Sequence, residues 1–107
     1  IEINVLLNQL PLNTSISHPS IFILNNNHPN PFNPTTNISF QLNRTENISL
    51  IVHDLKGAFI KEIIKNEVYS RGDYNIIFDG SNLSSGIYFY TLKANLSSVS
   101  KKFVLLK

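Results

Sequence analysis

The chain has 107 residues, 42% of them hydrophobic and 15% charged, with a net charge of +2 and no cysteine. That length suits one domain with its own core, and the hydrophobic fraction excludes disorder along the whole chain. The basic residues are scattered apart from Lys101, Lys102 and Lys107, which excludes an electrostatic footprint for nucleic acid, and the missing cysteines exclude disulfides and thiolate metal sites.

In chain order, Ile1, Ile3, Val5 and Leu7 alternate with Glu2, Asn4, Leu6 and Asn8, the period-two pattern of a half-buried strand. Residues 11–20 follow with Asn, Thr, Ser, His and two prolines in linker composition. No apolar stretch approaches the roughly 18 residues of a spanning helix. The start at Ile1 suggests a processed product or a fragment. We therefore divide the chain into an N-terminal strand and linker, 1–19, and a domain, 20–107.

A short apolar run, Ile21-Phe22-Ile23-Leu24, reads as a first strand at a sheet edge. The stretch Asn27-His28-Pro29-Asn30-Pro31-Phe32-Asn33-Pro34-Thr35-Thr36 comes next. Its prolines fix φ and remove donors, so it is a stiff polyproline-like or turn segment, with Phe32 expected to pin it to the core.

Regular strands follow. Residues 37–42 alternate cleanly and stop at Asn43-Arg44-Thr45-Glu46. Ile48, Leu50 and Val52 then face one way and Ser49, Ile51 and His53 the other, ending at Asp54-Leu55-Lys56-Gly57. A strand over 59–64 breaks strict alternation at Ile60, Ile63 and Ile64, which predicts a bulge or an edge, and 65–72 reads as a polar connection. Tyr74, Ile76 and Phe78 alternate with Asp73, Asn75 and Ile77 up to Asp79-Gly80. Residues 87–92 are apolar on nearly both faces and predict a central, doubly covered strand. A turn at 95–98 precedes the last strand, residues 103–106, whose flanking lysines would guard an edge.

Seven strands spaced by about ten residues, with no helical periodicity, predict an all-β fold: an antiparallel seven-stranded immunoglobulin-like β-sandwich with an extra N-terminal strand. A barrel is the alternative. Ile51, Phe59 and Ile77 would either point outward, forming an apolar stripe suited to another chain, or lie under a second layer.

No catalytic constellation stands out. His18, His28 and His53 lack metal-ligand spacing, and no Gly-x-Ser-x-Gly elbow surrounds Ser84-Ser85-Gly86. Asp54, Asp73 and Asp79 sit at strand ends, where carboxylates cap turns or bind calcium. The six Asn-x-Ser/Thr sequons, beginning at Asn13, Asn37, Asn43, Asn47, Asn82 and Asn95, are what an Asn- and Ser-rich chain produces by chance. An enzyme, a cofactor, a small-molecule substrate and a nucleic-acid partner are not expected. Lys101, Lys102 and Lys107 read either as a recognition handle or as edge protection.

Five pieces of the chain, in order, carry a resemblance: Asn30-Pro31-Phe32-Asn33-Pro34-Thr35-Thr36, Val52-His53-Asp54-Leu55-Lys56-Gly57, Phe78-Asp79-Gly80, Leu83-Ser84-Ser85-Gly86-Ile87-Tyr88, and the terminal Lys101-Lys102-Phe103-Val104-Leu105-Leu106-Lys107. Together they make residues 20–107 resemble the C-terminal sorting domain of the bacterial type IX (Por) secretion system, type A; immunoglobulin-like domains of flagellar hook-capping proteins are similar. His53 departs from the family's usual tyrosine and Phe78 from its common tryptophan. The resemblance implies a folded export signal that carries a larger protein through the periplasm, is recognised by outer-membrane machinery, and leaves its cargo extracellular or on the cell surface. It implies recognition through Pro29, Asn30, Pro31, Phe32, Asn33, Pro34, Gly86, Tyr88, Lys101, Lys102 and Lys107. The segment Ile1, Ile3, Val5 and Leu7 has no partner in a complete seven-stranded sandwich. It is expected to be either the tail of an upstream domain or a strand exchanged with a second copy, which would make the chain a homo-oligomer and the subunit of an extracellular filament.

Overall fold

The computed structural model describes residues 21–107. The strand expected at Ile1, Ile3, Val5 and Leu7, the linker after it and the boundary at residue 19 lie outside the described residues. Within them the chain forms β1 (Phe22–Leu24), β2 (Thr35–Leu42), β3 (Glu46–Asp54), β4 (Phe59–Tyr69), β5 (Gly72–Asp79), β6 (Gly86–Ala94) and β7 (Ser97–Leu105). They pair into a three-stranded sheet, β1-β2-β5, and a four-stranded sheet, β4-β3-β6-β7, with every strand pair antiparallel. The chain is a β-sandwich, as the strand pattern predicts.

Alternation built the core. Ile38, Phe40 and Leu42 on β2, Ile48, Leu50 and Val52 on β3, and Tyr90 and Leu92 on β6 are buried, while their neighbours face outward. Because side chains in a strand alternate between faces, each period-two run in the sequence supplies one inner face of the sandwich. Phe40, Tyr69 and Tyr74 pack together at one end, with ring centroids 4.9–6.2 Å apart. Tyr90, buried on the four-stranded sheet, donates its hydroxyl to the Asn25 carbonyl 2.7 Å away, tying that sheet to the segment after β1.

Three expectations are corrected. The strand expected to stop at Ile64 continues to Tyr69, leaving Ser70 and Arg71 between β4 and β5. Its polar second half pairs through the backbone with the start of β3, Glu67 opposite Ile48 and Tyr69 opposite Glu46. An edge strand with its side chains in solvent needs no apolar pattern, so composition disguised it as a connection. The expected irregularity is present: the β3–β4 register shifts three times, and Asn66 adopts φ 49° with its N–H donating to Ser49 Oγ.

β6 is central, between β3 and β7, but is covered on one face only. Tyr88, Tyr90 and Leu92 point inward, whereas Phe89 is half-buried and Ile87 exposed on the outer face. The turn expected at 95–98 is tighter: Asn95, at φ 59°, and Leu96 make it, and β7 begins at Ser97. β7 accordingly spans nine residues, starts well before Phe103 and ends at Leu105, leaving Leu106 exposed beyond it.

Candidate functional site

The proline run folds as a chain of bends with cis peptide bonds before Pro29, Pro31 and Pro34. Its two ends are clasped by side chains. Asn27 Nδ2 donates to Thr36 Oγ1 at 3.0 Å and to the Pro29 carbonyl at 3.2 Å, and Thr36 Oγ1 donates to that same carbonyl at 2.8 Å. Asn27 and Thr36 are both buried, where polar groups persist only when hydrogen-bonded; Asn27 Oδ1 alone has no protein partner. His28 exchanges backbone hydrogen bonds with Asn37, which extends the β1 side of β2.

Between those clasps the run crosses to the other sheet. Phe32 N–H donates to the Val104 carbonyl at 2.9 Å, and Leu106 N–H donates to the Phe32 carbonyl at 3.0 Å, in parallel register with the end of β7. Pro31 and Pro34 have no N–H to offer, so Phe32 makes the backbone bonds and Asn30 contributes through its side chain, its Oδ1 accepting from Val104 N–H at 2.9 Å. The last part of the β7 edge is thereby covered.

The Phe32 side chain turns into the core and is 2% exposed. Its ring lies 5.2 Å from Phe103 and 6.2 Å from Phe78, edge-on to the latter, and Tyr88 and Tyr90 stand edge-on to Phe103. Such geometries add to the burial of each ring. Phe78 is likewise a buried ring. Gly80 lies directly beside this cluster: its N–H donates to the Pro34 carbonyl at 2.8 Å, and a Cβ there would stand 3.2 Å from Phe32 and 3.3 Å from Leu105. A side chain there would press on two buried neighbours, so the glycine suits this close approach.

The loop from Asp79 to Gly86 completes the end of the sandwich. Ser81 donates both N–H and hydroxyl to Asp79 Oδ1, and those bonds, the hydroxyl's foremost, hold the Asp79 carboxyl below its usual range. Lys107 Nζ donates to the Ser81 carbonyl and Lys107 N–H to Ser85 Oγ. Tyr88 donates its hydroxyl to the Ser84 carbonyl at 2.7 Å, which fixes the corner where Gly86 opens β6. At the neighbouring hairpin Asp54 Oδ1 accepts from Lys56 and Ala58 N–H, and Gly57 takes φ 90°. Asp54 and Asp79 are thus turn caps, and among the described residues no group of three or more His, Asp or Glu is placed to hold a metal.

The predicted residues therefore fall into two sets. Pro29, Asn30, Pro31, Asn33, Pro34, Lys102 and Lys107 are exposed; Phe32 and Tyr88 are buried, and Gly86 is half-buried. The lysines do not form one cluster. Lys101 shares the inner side of β7 with Phe103 and lies opposite Tyr90, Lys102 is on the outer side opposite Phe89, and Lys107 reaches the 81–85 loop. The clasp of Asn27 and Thr36 and the anchors Ser81 and Ser85 were missed, because polar residues in loops carry no periodic signal.

All five motif pieces converge on this one end, joined by Phe32, Gly80 and the Asp54–Tyr88 and Tyr88–Phe103 pairings. Among curated proteins, no relative of the chain is found. A family model described as the secretion system C-terminal sorting domain matches residues 26–106, which takes in the proline run and every strand from β2 to β7. The chain belongs to the family of secretion system C-terminal sorting domains.

Proposed function

We propose that this domain is a non-catalytic export signal of the type IX route, carrying an attached protein through the periplasm and across the outer membrane to the cell surface. The observation that carries the reading is the convergence of five separated motif pieces on one end of the sandwich. There the exposed Pro29, Asn30, Pro31, Asn33, Pro34 and Lys107 accompany a buried anchor of Phe32 and Tyr88, and Lys102 lies on the adjoining outer sheet face. A receptor in the outer-membrane machinery that reads those side chains needs them at fixed spacing. Phe32 and the Asn30–Val104 bond supply that spacing before binding, so little ordering is left for the encounter.

The test is a fusion of residues 20–107 to a reporter in a bacterium competent for type IX secretion. Surface or medium delivery is expected. A reporter that accumulates in the periplasm overturns the reading.

A further inference from the structure

The outer face of the four-stranded sheet adjoins the sorting end, shares Lys102 and the β3–β4 turn with it, and carries an unusual mixture. Register places Phe59, His53, Phe89 and Lys102 in one row across β4, β3, β6 and β7. Ile51 lies in the next row, and Ile87 with Val104 on the other side of Phe89. At the rim the β3–β4 turn projects Leu55, 62% exposed, with Phe59 following at 63%. Ile77, expected to join Ile51 and Phe59 in one stripe, is on the other sheet. The turn overhangs a shallow groove of about 450 Å³ floored by Phe89 and Thr91.

Ammonium groups outnumber carboxylates here. Lys56 stands between the two projecting apolar residues, and Lys102 is exposed at the far end of the row. Lys93, exposed on the same side of β6, adds a third ammonium; against these stand the carboxylate of Asp54, which accepts from the N–H groups of its own turn, and the half-buried Glu62 opposite Ile51. Large exposed apolar side chains at a hairpin turn, with lysines on the same face, suit a fluid interface. Lipid yields to a protruding shape without needing a matching pocket, and lysine stems lie along the apolar boundary while their ammonium groups meet phosphates.

We propose that the β3–β4 turn and the adjoining sheet face dock onto an anionic lipid surface, with Leu55 and Phe59 entering the acyl boundary and Lys56 and Lys102 meeting the headgroups. The inference goes beyond the sorting reading and does not rest on it.

The full chain should sediment with vesicles of phosphatidylcholine mixed with phosphatidylglycerol, not with phosphatidylcholine alone, and raised salt should release it. Leu55→Ser with Phe59→Ser, both at exposed positions, should abolish sedimentation, and Lys56→Glu with Lys102→Glu should weaken it about tenfold or more. Ile77→Ser, on the opposite face, should leave it unchanged. Failure to sediment on anionic vesicles overturns the proposal, as does equal binding to neutral vesicles or unimpaired binding by the Leu55/Phe59 variant. Retention on immobilised polyglutamate without vesicle binding would assign the face to an acidic polypeptide instead. Because vesicle binding is read on the purified chain and export on the reporter fusion, the two readings fail separately.

Discussion

Truncating Phe32 removes the aromatic side chain through which the proline run reaches the core, where it packs on Phe103 and Phe78. Phe32→Ala should cost about 3–5 kcal/mol, the range for a fully buried phenylalanine. Urea denaturation would read it as a lower midpoint. Gly80→Ala should destabilise by about 1–3 kcal/mol, since the added methyl would press on the buried Phe32 ring and Leu105 at 3.2 and 3.3 Å. The two changes share a contact, so the cost of Gly80→Ala should shrink in a Phe32→Ala background, and a double-mutant cycle measures that coupling.

Tyr90 makes a pH prediction at the same scale. Burial pushes its hydroxyl up from 10.0 to about 12, so the folded state favours the neutral phenol more than the unfolded chain does. The stabilisation is complete below pH 10 and is lost as pH rises through about 12, for a total of up to about 2–3 kcal/mol. Unfolding free energies measured across that window should fall more steeply for the natural protein than for Tyr90→Phe.

The prolines act at the scale of the element. A last strand presents a row of unpaired backbone groups, and natural sheets cover or charge such edges. Here the 30–32 segment covers the end of β7, and Lys101, directed to the inner side beside Tyr90, charges the part before it. Asn30→Ala should uncover Val104 N–H, lower stability by about 0.5–1.5 kcal/mol, and speed hydrogen exchange at Val104 with a smaller effect at Leu106. Unchanged exchange at Val104 would show that the Asn30 side chain does not guard the edge. The polar half of β4 shows the opposite management: a bulge at Asn66 and exposed Lys65 and Glu67 leave the edge open but poorly suited to another strand.

Across the whole molecule, β1 and the proline run work as one strap, paired first to β2 and then to β7. A chain beginning at Thr35 would keep six strands but expose the β2 and β7 edges together and lose Phe22, Leu24 and Phe32 from the core. It should unfold or aggregate, and size-exclusion chromatography would show the loss of the natural chain's peak; a soluble, cooperatively unfolding product would refute the strap. In the export assay such a fusion should fail for want of a folded signal.

The sequence alone determined the all-β class, the strands at β2, β3 and β5, the bulge in β4 and the order of the five family pieces. Each of those strands buries one face, and burial of alternate positions writes a period of two into the chain. It could not reveal the polar halves of β4 and β7, whose pairing is carried by backbone groups common to every residue. Nor could it place Asn30 against Val104, 74 positions later, or show that Lys101 and Lys102 face opposite sides. Such neighbours exist only once both sheets have closed, because the tertiary fold, not local pattern, decides which distant loops share one end of the sandwich.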